Sequence, residues 1–181
     1  MKHLVVSSLL YLFAAMSGTA LAAADDGLQQ YRESLAGARS TLTADLAQCG
    51  QVQAGERGLC RAQARAVYKK ANAEAIAHQR NTPQARVDAR ITAADADHEL
   101  AIAGCKLAQP RERDACKRQA KEKRVEETRH AMADLHVTQG RNKVKEEKRK
   151  AYYSASRKKC DALAGAAKEA CMTLARAQYG E

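Results

Sequence analysis

The residues with the clearest chemistry are six cysteines, which occur as three pairs with one spacing. The pairs are Cys49 and Cys60, Cys105 and Cys116, and Cys160 and Cys171. Ten residues separate the members of each pair, and successive pairs begin 56 and 55 residues apart. Thiols can form disulfides, bind metals or carry out redox reactions, and their spacing distinguishes these chemistries. The regular spacing also indicates a module repeated three times.

The spacing favours structural disulfides over a metal or redox site. Zinc sites need C-x2-C pairs or clusters of cysteine and histidine. The histidines that follow the first pair are scattered along the chain at His78, His98, His130 and His136. The sequence contains neither a C-x-x-C redox motif nor a C-x-x-C-H haem attachment site. We therefore expect no metal and no cofactor.

A disulfide within a pair requires the chain to fold back between the two cysteines. Eleven residues rise ~16 Å along a continuous helix, whereas the Cα atoms of a disulfide lie within roughly 7 Å of each other. Glycine or proline, which favour turns, occurs in every ten-residue insert. We expect the local pairing, in which each bond closes a helical hairpin and stabilises it by about 3 kcal/mol. Pairing between modules is the alternative, since six cysteines allow fifteen pairings.

The segments between the cysteines have helical periodicity. One apolar stripe consists of Leu28, Tyr31, Leu35, Ala38, Leu42, Leu46 and Cys49. Asn81-Thr82-Pro83 ends one helix, with Thr82 as the N-cap of the next. Thr138-Gln139-Gly140 predicts a further break, with one continuous helix through these residues as the alternative. The predicted fold class is all-α, with about six helices in three stapled hairpins that pack together or form an elongated rod. The predicted modules are residues 23–80, 81–137 and 138–181, the last beginning with a basic helix.

The first 22 residues predict a secretory signal peptide. Lys2 and His3 precede an apolar run at residues 4–15, and Ala20-Leu21-Ala22 matches an A-x-A cleavage site. The run is shorter than the ~20 residues of a spanning helix. We therefore expect cleavage near Ala22, a periplasmic or secreted protein, and no transmembrane segment after cleavage. Such a compartment also favours disulfides.

Positive charge is concentrated near the C-terminus of a chain whose net charge is +10. Residues 141–160 hold nine basic and two acidic side chains, whereas residues 23–60 hold three and five. The candidate anion-binding residues are Arg141, Lys143, Lys145, Lys148, Arg149, Lys150, Arg157, Lys158 and Lys159. With Tyr152 and Tyr153 among them, these side chains suit phosphates and stacked rings. The alternative is a solvated helix face with one tyrosine packed inward.

Catalytic constellations are scarce. His98 lies on an apolar helical stripe with Asp95 and Glu99 as neighbours, and a histidine at the boundary of a thin core explains this pattern better than an acid/base pair does. No G-x-S-x-G motif, P-loop or dinucleotide fingerprint occurs. We therefore expect no enzymatic activity.

The modules share further residues besides cysteine. A base lies eight positions after each first cysteine, at Arg57, Arg113 and Lys168. An alanine followed by a base lies four positions after each second cysteine, as Ala64-Arg65, Ala120-Lys121 and Ala175-Arg176. Agreement within one chain indicates duplication and a common packing role, not a site.

The third module resembles a group of small exported Ala/Lys-rich bacterial proteins, of unknown function and sometimes labelled cell-envelope or TolA-like. The likeness rests on residues 160–180, from Cys160-Asp161-Ala162-Leu163-Ala164-Gly165 to Ala177-Gln178-Tyr179-Gly180, and on residues 81–90. The group has no assigned catalytic residue to carry over to this chain. The repeated modules without a catalytic constellation favour a non-catalytic, periplasmic envelope protein that presents rigid stapled helices to an envelope component. Two alternatives remain open: a binder of lipopolysaccharide, another acidic envelope polymer or nucleic acid through residues 141–159, and a periplasmic chaperone or stress protein.

Overall fold

The computed structural model describes the backbone of residues 18–180 and the side chains of residues 26–180. Its helices are α1 Gly18–Gln48, α2 Arg57–Arg80, α3 Pro83–Cys105, α4 Arg113–Cys160 and α5 Gly165–Tyr179, with a 3-10 turn at Pro110–Glu112. No strand occurs within this range, which confirms the all-α class. Residues 1–17 of the predicted signal peptide lie outside the described residues.

The prediction of six helices was wrong at Thr138-Gln139-Gly140. Helix α4 runs through these residues without interruption and is 48 residues long. A single glycine in a helix interior costs only about 1 kcal/mol relative to alanine. No proline occurs between residues 113 and 160 to remove a backbone donor. Gly140 therefore weakens α4 locally without ending it.

The chain divides into two compact units at the boundary between Ala131 and Met132. The first unit contains α1, α2, α3 and the beginning of α4. The second unit contains the rest of α4 and all of α5. The first two hairpins thus belong to one unit and the third hairpin to the other.

All three disulfides join the cysteines that were predicted to pair. In each bond the Cα atoms lie 5.6 Å apart, across eleven positions of sequence. The first cysteine lies at or directly after the end of one helix, and the second lies in the first two turns of the next. The three first cysteines are buried. The chain therefore reverses inside every insert, and each bond closes a helical hairpin.

The three helix ends before the turns use the same backbone hydrogen bond. The residue two places after the first cysteine donates its N–H to the carbonyl directly before that cysteine. The pairs are Gln51 to Gln48 at 2.9 Å, Leu107 to Gly104 at 2.9 Å and Ala162 to Lys159 at 3.3 Å. Such a tightened last turn satisfies carbonyls that an ending helix leaves without partners.

The repeated base eight positions after the first cysteine also has one role. Arg57 Nε donates to the carbonyl of Val52 at 3.1 Å, and Arg113 Nε donates to the equivalent carbonyl of Ala108 at 3.0 Å. In the third hairpin Lys168 Nζ lies 3.0 Å from Asp161 Oδ1. The base ties the start of the second helix to the turn in all three hairpins.

The repeated alanine is a packing position. Ala64, Ala120 and Ala175 are all buried, whereas the base that follows each of them is exposed. Together with the turn contacts, this burial gives a structural reason for the shared residues of the modules.

Helices α2 and α3 form an alanine-lined seam in the first unit. Apart from Cys105, the buried residues of the two helices are Ala64, Ala66, Ala73 and Ala77 on α2 and Ala85, Val87, Ala94 and Ala96 on α3. Residues two positions apart lie on opposite sides of a helix, so only part of this set faces the seam. Asn81, at a φ of 46°, caps α2, and the Thr82 hydroxyl accepts a 3.0 Å hydrogen bond from the Ala85 N–H. This confirms Thr82 as the N-cap of α3. Small side chains lose little entropy on burial and let the two backbones approach closely.

Candidate anion-binding surface

The nine predicted anion-binding residues lie on the part of α4 that forms the hairpin with α5. This hairpin has a small interior, in which Tyr153 and Cys160 of α4 and Ala175 of α5 are buried. The Cys160–Cys171 disulfide joins the two helices at the turn. Because the interior is small, most of the basic side chains remain on the surface.

Arg149 differs from its basic neighbours because it binds the end of α5. Its Nη1 donates to the carbonyl of Gly180 at 2.9 Å and also to the carbonyl of Tyr179. Its Nε and Nη2 donate to the Glu146 carboxylate at 2.9 and 2.7 Å. A guanidinium at the C-terminus of a helix satisfies carbonyls and opposes the negative end of the helix dipole. Arg149 therefore fastens α5 to α4, a role that the sequence did not indicate.

The pKa of Glu146 reflects the same contact. Hydrogen bonding from Arg149, assisted by the charges of Arg149 and Lys150, lowers the pKa of this carboxyl to about 2. A lowered pKa means that the folded hairpin favours the ionised carboxylate. Glu146 and Arg149 thus form a charged clasp between α4 and the last turn of α5.

The two tyrosines of the basic segment have different surroundings. Tyr153 is buried, and the Arg157 guanidinium carbon lies 5.8 Å from the centre of its ring. Tyr152 is 60% exposed, and its ring stacks on that of Tyr179, with centroids 6.2 Å apart. Tyr153 therefore belongs to the interior of the hairpin, while Tyr152 offers an exposed aromatic surface at the border of α5.

Four of the predicted bases share one exposed face of α4, which we name the basic stripe. It consists of Arg141, Lys145, Lys148 and Lys159, with Tyr152 and Ala155 between them. The six residues follow each other at steps of four, three, four, three and four, which places them along one side of a helix. All six are exposed, and the stripe contains no carboxylate.

The other predicted bases do not join the basic stripe. Lys143, Lys150 and Lys158 are exposed on other sides of α4, and Lys150 Nζ lies 3.6 Å from a Glu146 oxygen. Arg149 is held in the clasp, and Arg157 lies over Tyr153. The structure thus separates nine residues that the sequence presented as one run.

The two carboxylates near His98 in sequence both pair with cations of other helices. His98 is half-buried beside a cavity of about 350 Å³ between α3 and α4. Its sequence neighbour Asp95 pairs with Arg124, and Glu99 pairs with Lys69 at 2.6 Å. Both carboxylates therefore serve as ion-pair partners between helices.

Two further kinds of site are absent from residues 18–180. No group of three or more histidine, cysteine or acidic residues in that range is arranged to hold a metal ion. No helix there combines the length and apolar character that a membrane crossing requires.

Comparisons of the chain with protein-family models, with curated proteins and with solved structures find no match.

Proposed function

We propose that the chain is a non-catalytic, exported helical protein of the cell envelope, and that it binds an extended polyanionic component of the envelope through the basic stripe. The observation that supports this proposal is the alignment of Arg141, Lys145, Lys148 and Lys159 on one exposed face without a carboxylate. The three disulfides support an oxidising compartment, since such bonds persist outside the cytosol.

The length of the basic stripe favours an extended array of anionic groups over a small anion. Residues 141 and 159 are 18 positions apart on one helix, which corresponds to ~27 Å along its axis. Cations at such intervals can neutralise successive charges of a chain and release its condensed counterions. Tyr152 adds an aromatic face on which a sugar or base can stack. A single small anion would contact one or two of these groups.

The test compares two double variants of the intact protein with linear polyphosphate as the probe. We expect binding that weakens steeply with salt, because counterion release dominates such association. Lys145→Gln with Lys148→Gln removes two cations of the basic stripe. This variant should bind more weakly, and its slope of log affinity against log salt should be smaller by roughly 1.5 if two phosphate contacts are lost.

The control is Arg118→Gln with Lys121→Gln. These residues are also three apart and exposed on α4, but they belong to the first unit. The change in net charge is the same, so the control should retain nearly the wild-type affinity. Equal weakening in both variants, or binding that does not respond to salt, would refute the proposal.

A further inference from the structure

The exposed side of α5 carries an apolar stripe that is separate from the basic stripe of α4. It consists of Ala167, Ala170, Leu174 and Ala177 on the helix, at steps of three, four and three, together with Leu163 in the preceding turn. All five residues are exposed, and Leu174 is 70% exposed. Within residues 26–180, Leu174 is the most exposed of the large apolar side chains. We name these residues the α5 apolar stripe.

The basic stripe and the α5 apolar stripe belong to one hairpin. Tyr152, which lies within the basic stripe, stacks on Tyr179 of α5, so the basic stripe borders that helix. Residues 132–180 hold eleven Lys and Arg against five Asp and Glu. This hairpin therefore combines an excess of positive charge with exposed leucines, which is the composition of helices that lie in a membrane interface.

We infer that the acidic partner of this hairpin is the surface of an anionic lipid bilayer. The cations of the basic stripe contact lipid phosphates, and Leu163 and Leu174 enter the boundary between headgroups and acyl chains. This inference rests on the proposed function and specifies its partner. The positive charge argues against a second copy as the occupant, because a symmetric dimer through this surface would place two basic hairpins against each other. A soluble acidic polymer would leave the leucines in water.

The experiment uses the intact protein with vesicles of phosphatidylglycerol or phosphatidylcholine, and soluble polyphosphate as a separate probe. Wild type should bind the phosphatidylglycerol vesicles and not the phosphatidylcholine vesicles. Leu174→Ser should weaken vesicle binding ~fivefold, because it removes part of the inserted apolar area, and should leave polyphosphate binding unchanged. Lys145→Gln with Lys148→Gln should weaken vesicle binding roughly thirtyfold at low salt, since each lysine near an anionic surface contributes about 1 kcal/mol.

Leu107→Ser is the matched control. Leu107 lies in the turn of the second hairpin and, like Leu174, is an exposed leucine, at 51% against 70%. The control should bind phosphatidylglycerol vesicles and polyphosphate with the affinities of wild type.

The outcomes separate this inference from the proposed function. Binding of polyphosphate without binding of vesicles, or wild-type vesicle binding by Leu174→Ser, overturns the inference and leaves the proposed function intact. Failure of both probes removes the proposed function as well. A dimer in sedimentation equilibrium that Leu174→Ser dissociates would show that a second copy covers the α5 apolar stripe, and it would also overturn the inference.

Discussion

In the first unit, α2 and α3 pack against each other and together hold nine buried residues, whereas in the second unit the α4–α5 hairpin buries little more than Tyr153, Cys160 and Ala175. Both units contain hairpins with the same cysteine spacing and the same 5.6 Å between Cα atoms. The two units differ in the noncovalent contacts that accompany the disulfides. Apolar burial supports α2 and α3, and the contacts of Arg149 and the stacked tyrosines support α5.

This contrast bears on how much each hairpin depends on its covalent bond. Burial of apolar area contributes ~25 cal/mol per Å², so a seam of several side chains remains favourable when one contact is lost. A hairpin with three buried side chains has little such reserve. The exposed ion pairs between α2 and α3, such as Lys70 with Asp97 at 2.8 Å, add little because solvent screens them. The disulfide should therefore matter most where the interior is smallest.

The largest effect should come from removing the third disulfide. Cys160→Ser with Cys171→Ser should destabilise the α4–α5 hairpin by about 3 kcal/mol, because closure of this short loop no longer restricts the unfolded chain. We expect the α5 amides to lose most of their protection in hydrogen exchange, as a locally unfolded segment does.

The comparison variant is Cys49→Ser with Cys60→Ser. Here α2 keeps its seam with α3, so the α2 amides should stay protected. If α2 and α5 lost protection to the same degree in their respective variants, the contrast between the two units would be wrong.

A smaller effect is expected from overfilling the seam of the first unit. Ala96 is completely buried on α3, so Ala96→Leu should destabilise the unit by about 2 kcal/mol as the helices move apart to admit the side chain. Ala101→Leu on the exposed side of α3 is the control and should change stability by less than about 0.5 kcal/mol. Urea unfolding of both variants measures the difference, and equal midpoints would show that the seam is not closely packed.

The sequence predicted the hairpins well because their determinants are local and covalent. A separation of eleven positions between paired cysteines, with glycine or proline in each ten-residue insert, requires the chain to reverse if local disulfides are to form. Thr82 before Pro83 is likewise a recognisable helix start. The predicted break at Gly140 is absent because one glycine destabilises a helix by less free energy than the cooperative backbone hydrogen bonds of the surrounding helix contribute.

The division of the basic segment could be predicted only in part. Spacing along α4 was sufficient to separate Arg141, Lys145, Lys148 and Lys159 from the other bases, since it follows from helical geometry. The role of Arg149 was not accessible, because it depends on where the C-terminus of α5 lies thirty residues later in the chain. Its charge and its neighbours in sequence are those of a surface residue. A contact between residues so distant in sequence can be identified only from the tertiary structure.

The smallest effect should be a pH dependence confined to the second unit. The pKa of Glu146 is lowered from 4.5 to about 2, chiefly by the hydrogen bond from Arg149. A group whose pKa is lower in the folded state stabilises that state fully above its ordinary pKa, and the contribution declines as the pH falls and is gone below the folded pKa. The protection of α5 amides should therefore be constant above about pH 4.5 and decrease between about 4.5 and 2.

Two variants isolate this contribution. Glu146→Gln should remove the decrease, and Arg149→Gln should remove it as well, because both delete the clasp. Glu147→Gln replaces the adjacent exposed carboxylate and should retain the wild-type pH profile, since no ion pair of Glu147 is present among residues 26–180. Amide exchange rates, corrected for their intrinsic dependence on pH, provide the measurement. A profile that is unchanged in Glu146→Gln would assign the acid sensitivity of α5 to other carboxylates, such as Asp161 in the turn, and would leave the disulfide and the tyrosines as the main contacts that hold this helix.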